Sequence, residues 1–181
     1  MNEIDFHNDY TVIDIETTGL NSTLDNIIEL SAIKVRNNQI VSTFSKLINP
    51  NKKLNPFISN LTGITDTMLK QADTISKVLP QFLDFVGKDI ILGHNVQFDI
   101  KFINQKSIEH LNKPFENEKI DTLRISRKLK IKSGNHKLKT LADFYNISQG
   151  RMHRGLEDCR ITFEVYKHLK ENSIEKIKEI V

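Results

Sequence analysis

Alternation and periodicity along the chain predict its elements in order. Tyr10 to Glu16 reads as a short β-branched run that stops at Thr17-Thr18-Gly19, where glycine lets the chain turn. Ile27 to Val35 and Ile40 to Ile48 are two further strand candidates, and the polar turn Arg36-Asn37-Asn38-Gln39 is short enough to make them antiparallel neighbours in a three-strand meander. Ile75, Val78, Leu79, Phe82, Leu83 and Val86 then recur at spacings of three and four, the period of a helix with one buried face. Pro80 interrupts that helix, which predicts a kink or a later start. Asp89 to Gly93 predicts a strand, followed by helical spacing through Phe98, Phe102 and Ile103. Lys119 to Asp121 predicts a short last strand. Helices follow from about Thr122 to Lys130, around Leu138 to Tyr145, and from Leu156 to Lys170. Strands first and helices later, with a β-to-α step between them, predict an α/β architecture: a mixed sheet with helices on its faces.

Size and composition narrow the class. A chain of 181 residues predicts a single domain, 1–181, with its core at about 10–170. No apolar stretch approaches the ~20 residues of a membrane span. The polar, acidic start from Met1 to Asn8 lacks the pattern of a secretory signal, so the expected location is cytoplasmic. One cysteine, Cys159, excludes an internal disulfide and a Cys-based zinc site, and is expected to pack as a small apolar residue. Any metal here must be held by oxygen. The net charge of +3 identifies no partner, but its distribution is uneven. From Arg124 to Lys139 the chain carries Arg124, Arg127, Lys128, Lys130, Lys132, Lys137 and Lys139 without an acid. Two readings fit that run: a phosphate-facing surface, or a solvated face of helices whose apolar side is Leu123, Leu129, Leu138 and Leu141.

The acids carry the chemistry. Asp14 and Glu16 are two apart on a strand, so their side chains leave the same face while Ile13 and Ile15 point to the other. Adjacent carboxylates repel unless a proton or cation lies between them. Magnesium or manganese suits such ligation. Asp99 shortly follows the fourth strand and reaches the same sheet end if that strand runs parallel to the first, although a first-turn helix acid is an equally good reading. Asp158 lies in the first turns of the terminal helix. His153 is five residues earlier, about 140° around a regular helix, so the two converge only if His153 precedes the helix on a loop that Arg151-Met152 and Gly155 permit. An imidazole there suits general-base work near neutral pH.

Asp14-Ile15-Glu16-Thr17-Thr18-Gly19-Leu20, Gly93-His94-Asn95-Val96-Gln97-Phe98-Asp99 and His153-Arg154-Gly155-Leu156-Glu157-Asp158 resemble, in order and spacing, the three motifs of the DEDD exonucleases. The histidine marks the DEDDh branch, and the epsilon-like proofreading exonucleases of bacterial replicative polymerases are the most similar in look. Ile28-Glu29-Leu30 and Leu61-Thr62-Gly63-Ile64-Thr65 are similar to further segments of that family. The resemblance implies a ribonuclease H-like fold with a mixed five-stranded sheet and two-metal removal of nucleotides from a 3′ end. It implies that Asp14, Glu16, Asp99 and Asp158 hold two magnesium or manganese ions and that His153 is the general base. It further implies that Thr17, Thr18 and Leu20 line the terminal-nucleotide pocket, with Leu20 wedging the last base, that Ile64 also binds substrate, and that His94, Asn95 and Phe98 shape the strand's approach. His94-Asn95 could instead cap the following helix, and Phe98 could be core. The partner so implied is the 3′ end of single-stranded DNA, with RNA as the alternative, and a polymerase subunit as a further partner. Two rival readings are weaker. A haloacid dehalogenase-type phosphotransferase needs Asp where Glu16 stands, and a non-catalytic docking module would not need the intact set of acids and histidine.

Overall fold

The computed structural model describes residues 4–150 and 153–178. Arg151 and Met152, expected to loosen the loop before the last helix, lie outside the described residues. Five strands form one mixed sheet in the order β3-β2-β1-β4-β5, as the resemblance implies. They are β1 (Tyr10–Thr17), β2 (Ile27–Arg36), β3 (Gln39–Leu47), β4 (Ile91–Gly93) and β5 (Lys119–Asp121). The first three form the antiparallel meander, and β4 and β5 add in parallel to β1. The β2–β3 hairpin turns on Asn37 and Asn38, both at positive φ, which asparagine tolerates and which matches the twist of the paired strands. β3 is a largely exposed edge strand, whereas β2 is buried along nearly its whole length.

Helices cover both faces. On one face α3 (Ile75–Val86) and α4 (Gln97–Leu111) enclose Ile13, Ile15, Leu30 and Ala32. On the other, α5 (Thr122–Lys128), α6 (Leu138–Phe144) and α7 (Gly155–Lys178) enclose Tyr10, Val12, Ile33, Val35 and Leu92. Cys159 is buried in that second layer, as expected for a small apolar residue. Two short helices, α1 (Pro56–Thr62) and α2 (Asp66–Lys70), were not among the elements expected. They bracket a smaller cluster of Ile28, Leu54, Ile64 and Leu69.

Two expectations need correction. α3 starts at Ile75, directly after Thr74, and runs through Pro80 rather than starting after it. Pro80 removes the partner of the Ser76 carbonyl, but Ser76 and Pro80 are both exposed, so that carbonyl is open to water. β4 is also shorter than Asp89 to Gly93. Asp89 instead accepts from the Thr11 hydroxyl at 2.6 Å and from the Arg36 guanidinium at 2.8 Å, pinning the strand's entry rather than lying in it.

Candidate active site

The site grows out of β1. Tyr10, Val12, Asp14 and Glu16 lie on one face, and along it the residues change from apolar to acidic as the strand approaches its carboxyl end. β2 matches this change across the pair. Ser31 is opposite Asp14 and Glu29 is opposite Glu16, and the register slips by one residue at Glu16/Thr17 to accommodate Ile28. Because β4 is parallel to β1, the chain leaving Gly93 enters α4 at this same end. Asp99, in the first turn of α4, is buried, and its carboxylate accepts the Ile15 N–H at 3.1 Å, between the two acids of β1.

The fourth acid arrives on α7. Gly155 seats the start of that helix directly on the sheet, since a Cβ there would lie 2.6 Å from the Ser31 hydroxyl. His153 precedes the helix, as its partnership with Asp158 requires, and has a left-handed φ of 58°. Its backbone N–H donates to Asp158 Oδ2 at 3.0 Å. Ligand atoms of Glu16, His153 and Asp158 all lie within 4.8 Å of one another.

Electrostatics sets this cluster apart from ordinary surface acids. Burial, then the nearby Asp99, Asp158, Glu16 and Glu29, hold the Asp14 carboxyl well above the usual carboxylate range. Burial, followed by Asp158, Glu29 and Asp99, pushes Glu16 up to about 8, against a lowering pull from Arg154. Burial also raises Asp99 to about 7, although N–H donation from its own backbone and from Ile15 pulls it down. Asp158 rises to about 6 for the same leading reason. Such crowding is what a divalent cation relieves. One further observation fits a cation: Asp158 Oδ1 is buried with no hydrogen-bond partner, an orphaned acceptor aimed into an acidic pocket. With all-oxygen acids and one imidazole, the donor set suits magnesium or manganese.

Beside the acids is a cleft of about 260 Å³ lined by Leu20, Ser22, Asn95, Gln97, Phe98, Lys101 and Phe102. Of the residues expected to meet a substrate, Leu20 is 86% exposed and lines it, as do Asn95 and Phe98. Phe98 also packs on the core and against the Phe102 ring, so both readings of that residue hold. Thr17 and Thr18 are not on its wall. The Thr17 hydroxyl donates to the Gly19 carbonyl at 2.6 Å, and the Thr18 hydroxyl donates to Asp25 and accepts the Asn26 N–H, so both build the turn that presents Leu20. Ile64 is a correction: it is fully buried with Ile28, Leu54 and Leu69, because α1 and α2 fold over it.

His94 and Asn95 do not cap α4, whose first residue is preceded by Val96 with no side-chain cap. His94 Nδ1 is 2.9 Å from the Thr122 hydroxyl, and burial lowers the imidazole to about 4, so it is neutral near pH 7. Asn95, at positive φ, gives its N–H to Asp121 at 2.9 Å. Sequence reasoning missed Lys101, a cation on the cleft wall one turn of helix beyond Phe98, and it missed what Glu29 does. Their signals were helical spacing and the alternation of β2 opposite Glu16.

A layered sheet of this order with an acid pocket at the carboxyl ends of β1 and β4 defines a ribonuclease H-like exonuclease fold. Exonuclease I of E. coli in complex with a dT13 oligonucleotide shares it, with a TM-score of 0.83 at 18% identity over 96% of this chain and 43% of that one. So does exonuclease X in complex with 5′ overhanging duplex DNA, with a TM-score of 0.73 at 24% identity over 90% of this chain and 92% of that one. The family model described as Exonuclease matches residues 11–166, and the chain belongs to that family of nucleic-acid exonucleases. Among its relatives is the DNA polymerase III PolC-type of Caldanaerobacter subterraneus subsp. tengcongensis, 40% identical over 98% of this chain. The chain spans 13% of that protein's length. Among the described residues no helix is long and apolar enough to cross a membrane.

Proposed function

We propose that the chain is a DEDDh-type 3′→5′ exonuclease that removes nucleotides from single-stranded DNA ends by two-metal hydrolysis. The observation that carries this reading is the convergence of Glu16, His153 and Asp158 beside Asp14 and Asp99, next to a cleft with an exposed leucine and a phenylalanine on its wall. Asp14, Glu16, Asp99 and Asp158 would hold two magnesium or manganese ions. Those ions, when bound, lower the pKa of the attacking water and neutralise charge on the scissile phosphate.

The chain's own groups do the rest. Leu20 and Phe98 take the terminal base and sugar, and Lys101 and Asn95 supply polar contacts along the same wall. His153, exposed before α7, accepts the proton of water as the water oxygen forms its bond to phosphorus. The bond from phosphorus to the 3′ oxygen breaks, that oxygen gains a proton from solvent, and a nucleoside 5′-monophosphate leaves. His94 is neutral and tied to Thr122, so it shapes the groove and is no rival base. Beyond Asn95, α5 and the segment after it present Arg124, Arg127, Lys128, Lys130 and Lys132, all exposed, while Leu129 and Leu141 are buried beneath. This ridge is the proposed path for upstream phosphates. Relatives named as DNA polymerases favour DNA over RNA and make a polymerase a proposed partner.

The test uses matched 5′-labelled DNA and RNA oligomers with magnesium or manganese. Stepwise shortening of the DNA from its 3′ end, abolished by EDTA, is expected, with slower loss of the RNA. Intact DNA label under every metal condition contradicts the reading. Faster RNA loss would move the substrate to RNA.

A further inference from the structure

Glu29 is an acid that the mechanism above does not use. Its side chain is 2% exposed, directly across the β1–β2 pair from Glu16 and close to Asp14 and Asp158. A buried carboxylate beside so many others is costly unless it is fully engaged. Glu29 is engaged on both oxygens. Oε2 accepts the N–H of Gly155 at 3.1 Å, and Oε1 accepts from the Arg154 guanidinium and the Ser45 hydroxyl at 3.3 and 3.4 Å. Its oxygens are also outside the set formed by Glu16, His153 and Asp158. Its bonds instead reach two consecutive residues across the fold, at the buried N–H end of α7, where a negative charge is most favourable.

We infer that Glu29 is the positioning residue for His153. Gly155 is held against the sheet twice, by the Glu29 carboxylate and by close approach to Ser31 and the Asp14 carbonyl. His153 is two residues back, its left-handed φ and its N–H bond to Asp158 setting the direction in which the imidazole leaves the chain. The far side of the loop is fixed too, for Glu157 accepts the Gly150 N–H at 2.6 Å and Arg160 is bonded to Glu157 and to the Ser148 carbonyl. The loop thus has a footing on α7 at one end and a footing on the sheet at the other. Glu29 supplies the second, and it couples the acid-bearing strand pair to the base. Without it, Arg154 and Gly155 keep their places in sequence but lose the anchor that keeps the imidazole within ligand distance of Glu16 and Asp158.

This inference rests on the exonuclease reading, and the experiment separates the two. Glu29→Gln keeps the side-chain volume but loses the charged acceptor. With wild-type protein active on labelled single-stranded DNA, Glu29→Gln is expected to lower kcat about 10- to 100-fold with KM within about 2-fold. In a His153→Ala background the same substitution is expected to cost less than about 3-fold, because a residue that acts through His153 has nothing left to position. An equal loss in both backgrounds, or wild-type kcat in Glu29→Gln, overturns the inference and leaves the exonuclease reading intact. Wild-type protein inert on DNA and RNA overturns both. Amide exchange on the unmodified protein tests the anchor without any variant: a protected Gly155 N–H is expected, and a freely exchanging one overturns the inference.

Discussion

Between the β1–β2 pair and α7 there are two regions that share strands, face and covering helix, yet differ in kind. At one end Tyr10, Val12, Ile33 and Val35 meet Val165, Tyr166 and Leu169 of α7 in an apolar layer. At the other, Asp14, Glu16, Ser31 and Glu29 meet Gly155 and Asp158 of the same helix. The first end gains by excluding water. The second gathers carboxylates whose ionisation burial and mutual repulsion oppose. The difference teaches that stability and chemistry are separated along a single pair of strands: the apolar end holds α7 in place so that its first turn can bring Asp158 to the acids.

Substitutions can break that separation. Asp14→Asn at the acidic end is expected to lower exonuclease activity about 1,000-fold or more, about 4 kcal/mol in barrier, as read from the decay of labelled DNA. The metal-free melting temperature is expected to hold or rise, because a carboxyl whose ionisation burial and its acidic neighbours oppose has gone. Leu169→Ala at the apolar end is expected to do the reverse. Removing a fully buried leucine costs about 2 to 5 kcal/mol of unfolding free energy in denaturant titration, while kcat per folded molecule changes little. Activity loss from Leu169→Ala without loss of stability would dissolve the distinction.

Titration sharpens the same contrast. Glu16 holds its proton up to about pH 8 in the metal-free fold but releases it near 4.5 when unfolded. The folded state therefore binds more protons across that window, and raising the pH through it lowers stability. Thermal melts of metal-free protein are expected to fall from pH 5 to pH 8, and added manganese to reverse that slope, since binding needs the carboxylates ionised. An upward metal-free slope would contradict the raised values. The smallest effect is expected outside both regions. Neutralising Lys128, Lys130 and Lys132 to Gln should weaken single-strand binding several-fold and flatten its dependence on salt, with catalysis at saturating DNA unchanged. An unchanged salt slope would return the ridge to a solvated helix face.

Much of this was legible in the sequence because period and punctuation agreed. Alternation in β1 put Asp14 and Glu16 on one face and the turn asparagines set the hairpin, while the place of Asp99 hung on a parallel fourth strand, which the β1–β4 pairing supplies. Helical geometry stated the condition for His153 to meet Asp158, that it precede the helix, and the start of α7 at Gly155 meets that condition. What escaped was what only contact decides. Asn55-Pro56 and Gly63 are start and stop signals for α1, but so short a helix has too few turns to show a buried face, and so resemblance alone offers Ile64 as a substrate contact where the fold makes it core. Hydroxyls at Thr17 and Thr18 could serve a ligand or a turn, and only the positions of Gly19 and Asp25 decide for the turn. Pro80 is tolerated because Ser76 faces water, which no local pattern states. Ile28-Glu29-Leu30 resembles a family segment but carries no role for Glu29, whose bonds to Arg154 and Gly155 span 125 and 126 residues of sequence.

The acidic end is where the account stands or falls, and diffraction from crystals soaked in manganese tests it most directly. The account predicts anomalous peaks held by Asp14, Glu16, Asp99 and Asp158, with the His153 imidazole facing them. Fully occupied lattice sites elsewhere, with no peak among those carboxylates, would contradict it.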